Sequence, residues 1–482
     1  MKLFPIPGGI HPEYRKTLAS EVAISTLPLP ERLHVPLQQH IGAAADPLVG
    51  VGERVRKGQL IARGRGVVSA SQHAPTSGIV VEIGELTAPH PSGLAQPTIV
   101  IEADGQDEWA ELPPPIEDPF AASPRAIQER VDASGIVGMG GAAFPSAVKL
   151  ELGNRHALDI LLINGAECEP YLTCDDRVMR EHATEVIDGA RIMAHALRAE
   201  RVIVAIEDNK PQALAAMQAV AAKVVGDGPS VEVIGVPVQY PMGSERHLVL
   251  AVTGRETPAK KLTADVGVVV HNVGTARAVH HAVRFGRPLI ARVVTVSGAA
   301  IRQPKNVEVP IGTPVSALLD FCSGFASEPA SLVLGGPMMG QPLLSLDVPL
   351  VKGSSGVLAL TREEVNEQPA STCIRCGSCV EVCPCGLVPL EMAAYIRKDK
   401  LKEVAALGVT DCMSCGSCSW VCPSHIPLVH YFNYAKGALA AEAREQRKSE
   451  LVRVRSEAHQ ARLEKIAAER AAKRGGAGGN AA

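Results

Sequence analysis

Two cysteine runs near the C-terminus constrain this chain more than any other feature. The runs are Cys373, Cys376, Cys379 and Cys383, and then Cys412, Cys415, Cys418 and Cys422, each followed by proline. Both read C-x2-C-x2-C-x3-C-P, a spacing typical of paired [4Fe–4S] clusters. A pair of zinc sites is the alternative, but zinc sites usually show two separate CxxC arms rather than one compact run of four cysteines.

The spacing also predicts how the ligands are shared. The last cysteine of each run lies too far along the chain to close the same cube, so it ligates the other cluster. One predicted cluster therefore takes Cys373, Cys376, Cys379 and Cys422, and the other takes Cys412, Cys415, Cys418 and Cys383. Cys385 lies outside both registers and is predicted not to be a ligand. Two such clusters would conduct single electrons.

Composition limits the remaining possibilities. A length of 482 residues predicts about three domains. The net charge of −3 argues against a nucleic-acid surface. Eight of the 12 cysteines lie in the runs, which indicates a reducing compartment rather than a disulfide framework. The N-terminus has no apolar signal-peptide core, and no window reaches the roughly 18 apolar residues of a membrane helix.

The first hundred residues predict a β-rich domain. Residues 1–30 are proline-rich and irregular, whereas residues 32–105 show short apolar runs separated by glycine. The segments VGERVRKG at 51–58 and SGIVVEIG at 77–84 are similar to each other. This repeated pattern resembles that of the barrel-sandwich fold of lipoyl and biotinyl domains. The matching hairpin tip at 69–71 has no lysine to modify, so we expect a structural or docking module.

The rest of the chain reads as a proline-rich linker, an α/β region, a second β region and the cysteine runs. The linker is residues 106–120, and residues 120–290 alternate helix and strand patterns, which predicts a mainly parallel sheet. Its expected elements are strands at 160–163, 202–206, 231–236 and 266–270, a helix across 178–198 and a helix from Pro211. Residues 292–345 predict short strands with one helix near 314–322. A charged helix is expected over 436–474.

Two loops in the α/β region predict a ligand site. The small residues of GMGGAAFP at 138–145 allow the backbone to approach a flat or phosphorylated ligand; a tight turn packed under a helix is the alternative. The loop 164–170 follows a predicted strand, where ligands bind in open α/β sheets. Its amide and carboxylates suit the hydroxyls and ring edges of a nucleotide, and a solvated acidic loop is the alternative.

The chain resembles the C subunit of Rnf-type ion-translocating oxidoreductases. The resemblance lies in these two loops, in YPMGSE at 240–245, in HNVGTA at 271–276 and in the twin cysteine runs. The middle of the chain is similar to the NADH- and FMN-binding subunit of respiratory complex I. The resemblance implies a multidomain α/β plus β architecture. After an N-terminal segment, 1–31, it implies a barrel-sandwich hybrid domain at 32–105, an FMN/NADH-binding α/β domain at 120–290, a β-grasp-like (SLBB) domain at 291–345, a ferredoxin-type two-cluster domain at 362–435 and a charged helical tail at 436–482.

The resemblance also implies individual site residues. The FMN contacts carried over are Gly138, Gly140, Gly141, Lys149, Asn164, Glu167, Tyr240, Gly243, Asn272 and Thr275. Glu245 matches an acid beside the nicotinamide, and Phe144 matches an aromatic ring that stacks on NADH. The chain departs from the complex I pattern at Ala166, where an aspartate is expected, and at Ser244, where a glutamate is expected.

The implied function is electron input. NADH would reduce FMN, and two [4Fe–4S] clusters would carry the electrons to membrane-embedded and ferredoxin-like subunits that couple ferredoxin/NAD redox chemistry to ion translocation. The chain is expected on the cytoplasmic side of the inner membrane as a peripheral subunit, with no nucleic acid among its partners. Two alternatives are a soluble NADH diaphorase flavoprotein and an iron–sulfur adaptor that has lost its flavin.

Overall fold

The computed structural model describes residues 2–89, 93–365 and 368–476, with side chains described as far as residue 470. The chain divides into two compact units. The first comprises Met1–Pro369 together with Cys415–Ser417, and the second comprises Ala370–Ser414 and Cys418–Ala482. The first contains all the β-sheets of the described chain, and the second is helical.

The N-terminal part of the first unit is built from two small antiparallel sheets. A short helix and strand, α1 (Thr17–Ser20) and β1 (Ser25–Thr26), lie within the segment that was predicted to be irregular. The sheets have the orders β2-β8-β7-β4 and β3-β5-β6. Their strands are β2 (Arg32–Pro36), β3 (Asp46–Pro47), β4 (Arg54–Val55), β5 (Leu60–Arg63), β6 (Gln72–His73), β7 (Gly78–Thr87) and β8 (Ala95–Ala103). This is the predicted barrel-sandwich arrangement.

The hairpin tip of this region is buried. Ser69 and Ala70 are 5% and 3% exposed, and Ala70 packs into the core of the α/β region. The carbonyl of Ser71 accepts a hydrogen bond from Lys352 Nζ at 2.7 Å. The tip is therefore a fixed packing contact, as the missing lysine predicts.

The α/β region contains a fully parallel four-stranded sheet of order β11-β10-β9-β12. Its strands are β9 (Ile160–Gly165), β10 (Arg201–Glu207), β11 (Ser230–Val236) and β12 (Val268–Asn272). Its helices are α2 (Pro124–Ala133), α3 (Ser146–Leu150), α4 (Cys174–Glu181), α5 (Ala183–Leu197), α6 (Pro211–Ala221), α7 (Glu245–Thr253) and α8 (Val273–Phe285). Strands β9, β10 and β12 are nearly continuous buried runs, which is typical of a parallel sheet covered on both faces, whereas the edge strand β11 is partly exposed.

Two boundaries in this region differ from the prediction. The single helix expected across 178–198 is two helices that meet at His182, whose φ of −125° ends the first. The strand expected at 266–270 starts later, at Val268, because residues 263–266 form a 3₁₀ turn that Gly267 ends at φ 82°. A left-handed backbone at Gly267 separates the turn from the strand.

Strand register fixes where the loops of this sheet emerge. Asn164 of β9 pairs with Ala205 of β10 on one side and with Asn272 of β12 on the other. Because the strands are parallel, all three carboxyl ends lie along one edge of the sheet. The acidic loop after β9 and the start of α8 after β12 are thereby neighbours, at the edge where α/β proteins bind ligands.

A mixed six-stranded sheet of order β1-β14-β13-β17-β15-β16 completes the first unit. Its later elements are β13 (Ala291–Ser297), β14 (Lys305–Pro310), α9 (Val315–Phe321), β15 (Ser331–Leu334), β16 (Gln341–Pro342) and β17 (Gly356–Leu360). The strand β1 joins the sheet by parallel pairing with β14, which explains why the N-terminal segment is ordered. The helix expected near 314–322 is α9.

The second unit consists of short helices and one long helix. They are α10 (Ser378–Glu381), α11 (Pro389–Ile396), α12 (Leu401–Ala406), α13 (Ser417–Trp420) and α14 (Leu428–Gly476), with the first residue of α13 assigned to the other unit. The predicted charged helix is the later part of α14, and its side chains from 451 to 470 are all exposed. No helix in the described chain is long and apolar enough to span a membrane.

Lys352 connects the barrel-sandwich tip to the α/β region. Its Nζ donates to the carbonyls of Ser71 and Gly135, both at 2.7 Å, and its backbone N–H donates to Gln39 Oε1 at 3.0 Å. Gly135 lies just before the glycine loop at 138–141. Burial lowers the pKa of Lys352 to about 7.

Replacing Lys352 by methionine tests this buried ammonium group. An unfolded lysine titrates at about 10.4, so between about pH 7 and pH 10 the unfolded chain binds the proton more strongly, and stability rises with pH. Methionine does not titrate. We therefore expect the Tm of the wild type, relative to Lys352→Met, to rise across this window and to be constant below about pH 7. A constant difference from pH 7 to 10 would contradict the assignment.

Candidate functional site

The glycine loop at 138–141 is fastened at two points and open at its apex. The N–H of Gly138 donates to the carbonyl of Phe144 at 2.8 Å, and the N–H of Met139 donates to Thr275 Oγ1 at 2.9 Å. Gly141 has φ 116°, and a Cβ added there would meet no atom within 4 Å. The loop thus presents backbone to open space, which fits a flat or phosphorylated ligand better than a packed turn.

The start of α8 lies beside this loop. Asn272 caps the helix, because its Oδ1 accepts from the N–H of Gly274 at 2.8 Å, and its Nδ2 donates to Asp175 Oδ2 at 2.6 Å. A Cβ on Gly140 would lie 3.3 Å from Asn272. A helix N-terminus next to open backbone N–H groups suits a phosphate group.

The carboxylates of the acidic loop point into the protein. Glu167 accepts hydrogen bonds from the N–H groups of Asp175 and Asp176, at 2.7 and 3.3 Å, and so caps the N-terminus of α4. Glu169 accepts from the N–H groups of Met338 and Met339, at 3.0 and 2.9 Å. The solvated acidic loop is therefore excluded. Burial raises the pKa of Glu169 to about 7.

Asn164 connects this loop to the segment at 240–245. Its Oδ1 accepts from the N–H of Ala166 at 3.1 Å, and its Nδ2 donates to the carbonyl of Gly243 at 2.8 Å. The N–H of Gly243 donates to Cys168 Sγ at 3.3 Å. Tyr240 is fully buried, and its backbone forms paired hydrogen bonds with Ile10. The structure therefore brings Asn164 and Gly243 together.

Two lysines that no sequence motif marks donate hydrogen bonds to the backbone of the acidic loop. Lys16 Nζ donates to the carbonyls of Glu167, Glu169 and Leu172 at 2.7, 3.0 and 2.7 Å. Lys210, 1% exposed, donates to the carbonyl of Ala166 at 2.6 Å. No sequence signal marks Lys16, because its partners lie about 150 positions away.

The acidic loop also contributes Glu167 to a cluster of buried titratable groups at the start of α4. Ligand atoms of Glu167, Cys174 and Asp175 lie within 4.8 Å of one another. Burial raises the pKa of Asp175, with the charge of Glu167 as a further cause, and the charge of Arg292 opposes the shift. The carboxylates already accept hydrogen bonds from the N–H of Asp176 and from Asn272 Nδ2, so the geometry is that of a hydrogen-bonded structural network.

Lys149 and Glu245 form an ion pair beside β12. Lys149 Nζ lies 3.0 Å from Glu245 Oε2 and donates to the carbonyl of Val270 at 2.7 Å. Thr263 Oγ1 donates to Glu245 Oε1 at 2.8 Å. Both charged side chains are partly exposed, at 23% and 42%. Lys149, which the resemblance assigns to FMN, and Glu245, which it assigns to the nicotinamide, are thus in direct contact. Phe144 contacts the glycine loop through its backbone carbonyl.

In the second unit, one cavity of about 80 Å³ gathers four thiols. They belong to Cys373, Cys376, Cys379 and Cys422. The cavity therefore brings the last cysteine of the second run to the first three of the first run, which is the crossed set expected from spacing. Four cysteines that line one cavity fit the donor set of an iron–sulfur cluster. Cys385 is not among the lining residues.

Backbone N–H groups are also directed at the sulfur atoms of Cys383 and Cys412. Cys383 Sγ accepts from the N–H of Leu387 at 3.3 Å, and Cys412 Sγ accepts from the N–H of Ser414 at 3.4 Å. Such N–H···S bonds stabilise thiolate charge and tune cluster potentials.

Four family models match successive parts of the chain. They are the RnfC barrel sandwich hybrid domain over residues 4–106, the Nuo51 FMN-binding domain over 131–281, the SLBB domain over 293–342 and the 4Fe-4S dicluster domain over 365–448. Together with the site geometry, they define an oxidoreductase subunit with an FMN-binding domain and iron–sulfur clusters, through which electrons enter an ion-translocating complex.

Curated relatives agree with this class. The C subunit of the ion-translocating oxidoreductase complex of Rhodobacter capsulatus is 56% identical, over 91% of this chain and 84% of its own length. The protein of the same name from Pseudomonas aeruginosa is 47% identical, over 98% of this chain and 60% of its own. The C subunit of the proton-translocating ferredoxin:NAD(+) oxidoreductase complex of Clostridium ljungdahlii is 46% identical, over 82% and 85%. The chain belongs to the family of C subunits of ion-translocating oxidoreductase complexes.

Among solved structures, an NAD+-reducing [NiFe]-hydrogenase in the H2-reduced state is similar to this chain. The similarity covers 69% of this chain and 64% of that chain, with 19% identity and a TM-score of 0.47.

Cysteine substitutions test the crossed ligand set. Cys376 lines the thiol cavity and Cys385 does not, so Cys376→Ala should remove one cluster while Cys385→Ala keeps the wild-type iron content. The measurement is iron and acid-labile sulfide per polypeptide, with Cys383→Ala as a third variant. The ligand set is wrong if Cys385→Ala halves the iron and Cys383→Ala does not.

Proposed function

We propose that this chain is an NADH-oxidising electron-input subunit, in which the glycine loop would hold FMN and two sets of cysteines would hold [4Fe–4S] clusters. The observation that carries this proposal is the open backbone of Gly141 beside the capped N-terminus of α8, within a region that matches an FMN-binding domain. The flavin supplies the conversion from hydride to single-electron transfer, and the protein supplies binding, orientation and electrostatics.

Gly138, Gly140 and Gly141 would form the cradle for FMN. Thr275 holds that cradle against α8, and Asn272 caps this helix, whose N-terminal N–H groups would face the phosphate. The remaining proposed contacts lie along the same sheet edge: Lys149, Asn164, Glu167, Tyr240 and Gly243. Of these, Glu167 would act through the backbone of its loop, because its carboxylate is occupied in capping α4.

Glu245 and Phe144 would contact NADH. Glu245 is oriented by Lys149 and Thr263, so its carboxylate has a fixed position at the first residue of α7. The half-buried Phe144 follows the glycine loop directly. The Clostridium ljungdahlii relative belongs to a ferredoxin:NAD(+) oxidoreductase complex, which supports the same donor and acceptor pair here.

The proposed clusters use the crossed sets: Cys373, Cys376, Cys379 and Cys422 for one, and Cys412, Cys415, Cys418 and Cys383 for the other. The four thiols that line one cavity support the first set. The chain would work as a peripheral subunit on the cytoplasmic side of the inner membrane, beside membrane-embedded and ferredoxin-like subunits of the translocase. The domain limits given from the sequence remain our proposal.

Gly141→Val should abolish FMN binding. Valine is strained at φ 116°, and its branched side chain would enter the space proposed for the ligand. Flavin per polypeptide is measured by absorbance, and iron content should be unchanged. Gly226→Val is the matched control, because Gly226 has φ 88° and also faces open space. Full FMN in Gly141→Val, or equal loss in both variants, would contradict the proposed cradle; a wild type that lacks flavin would indicate the iron–sulfur adaptor.

Glu245→Gln should weaken NADH oxidation while FMN remains bound. Glutamine can still accept the hydrogen bond from Thr263 but removes the ion pair with Lys149. We expect kcat/KM for NADH with ferricyanide to fall by about tenfold, equivalent to ~1.4 kcal/mol of transition-state stabilisation. Unchanged kcat/KM would place the donor site elsewhere.

A further inference from the structure

The loop that carries the first cysteines is exposed and cationic. Residues 371–376 are all exposed, and Ile374 reaches 69% exposure. Arg375 and Arg397 line the thiol cavity, and among the described residues no acidic side chain lines it. Within the part of the chain that the structure describes, neither guanidinium group forms an ion pair or a side-chain hydrogen bond.

The second cysteine run provides an internal comparison. Arg375 corresponds to Ser414, and the two have the same left-handed backbone, with φ 57° and 58°. Ser414 Oγ donates to Asn433 Oδ1 at 2.7 Å, and Lys436, the counterpart of Arg397, donates to the carbonyl of Cys412 at 2.8 Å. The second run is less exposed, with Met413 partly buried where Ile374 is open.

The two loops therefore share a backbone but differ in what their side chains contact. In the second run the polar side chains form hydrogen bonds with other groups of the protein. In the first run two guanidinium groups and an apolar side chain are left for solvent. Exposed arginine around a central apolar residue is the composition of a protein-binding surface, and a planar guanidinium pairs with a carboxylate in a bidentate manner.

We propose that Ile374, Arg375 and Arg397 form the docking surface for an electron-carrier protein with carboxylates around its redox centre. This inference rests on the proposed function, because it requires a cluster held by the four thiols of this cavity. Because Cys373 and Cys376 are exposed, a cluster that they held would lie near the surface, and a docked carrier would approach it closely. The surface is small, as is typical of transient redox complexes.

Reduced plant-type [2Fe–2S] ferredoxin, an acidic carrier, is the probe. Stopped-flow absorbance follows its oxidation by the holoprotein, without NADH. At low ionic strength, Arg375→Glu should lower the second-order rate constant by about tenfold or more, and Arg375→Lys by less than about threefold. Lys402→Glu is the matched control: the same charge change on the exposed helix α12 should alter the rate by less than about twofold. Ile374→Ser should also slow the reaction.

The salt dependence of the rate constant distinguishes weaker docking from a change in the cluster's midpoint potential. High salt should reduce the difference between the wild type and Arg375→Glu, because an electrostatic encounter is screened. Equal losses in Arg375→Glu and Lys402→Glu would overturn the proposal. So would a salt-independent loss with an altered cluster midpoint potential, measured by EPR-monitored titration. FMN content and NADH oxidation are measured separately, so failure of the docking surface is distinguishable from failure of the proposed NADH chemistry.

Discussion

The candidate flavin site depends on two ammonium groups that bind the backbone beneath it. Lys16 and Lys210 together donate hydrogen bonds to four carbonyls of the loop after β9. That loop includes Glu167 and Tyr171 with φ 48° and 65°, a conformation that costs energy for residues other than glycine. Hydrogen bonds to charged donors contribute about 1.5–3 kcal/mol each, enough to stabilise such a backbone.

This support explains why the acidic residues of the loop face inward. With its carbonyls bound by lysine, the loop directs Glu167 to the N-terminus of α4 and Glu169 to the N–H groups of Met338 and Met339. The same loop presents Asn164 to Gly243. Segments distant in sequence, including the N-terminal one, therefore share in shaping one edge of the parallel sheet. The glycine loop is held separately, by the hydrogen bonds of Gly138 with Phe144 and of Met139 with Thr275. Lys352 binds the carbonyl of Gly135 just before it.

The two cysteine runs show how one motif used twice acquires two different surroundings. Both cysteine runs contain the same left-handed position, at Arg375 and Ser414. One side chain is turned to solvent and the other is hydrogen-bonded to Asn433. Solvent exposure and nearby cations raise the reduction potential of a cluster, whereas burial lowers it. The contrast between the loops thus gives the two predicted clusters different surroundings despite identical ligand spacing.

The sequence alone determined the features that depend on local pattern. Ligand spacing predicted that Cys422 lies with the first three cysteines of the first run, apolar runs predicted strands β9 to β11, and the lysine-free tip at 69–71 predicted a fixed module. The predictions of one helix through His182 and of an earlier start for β12 were wrong because backbone dihedrals at single residues decided them. Only the tertiary structure decided the ion pair of Lys149 with Glu245, the inward carboxylates and the role of Lys16. These contacts join residues up to 170 positions apart, and no local periodicity encodes such pairs.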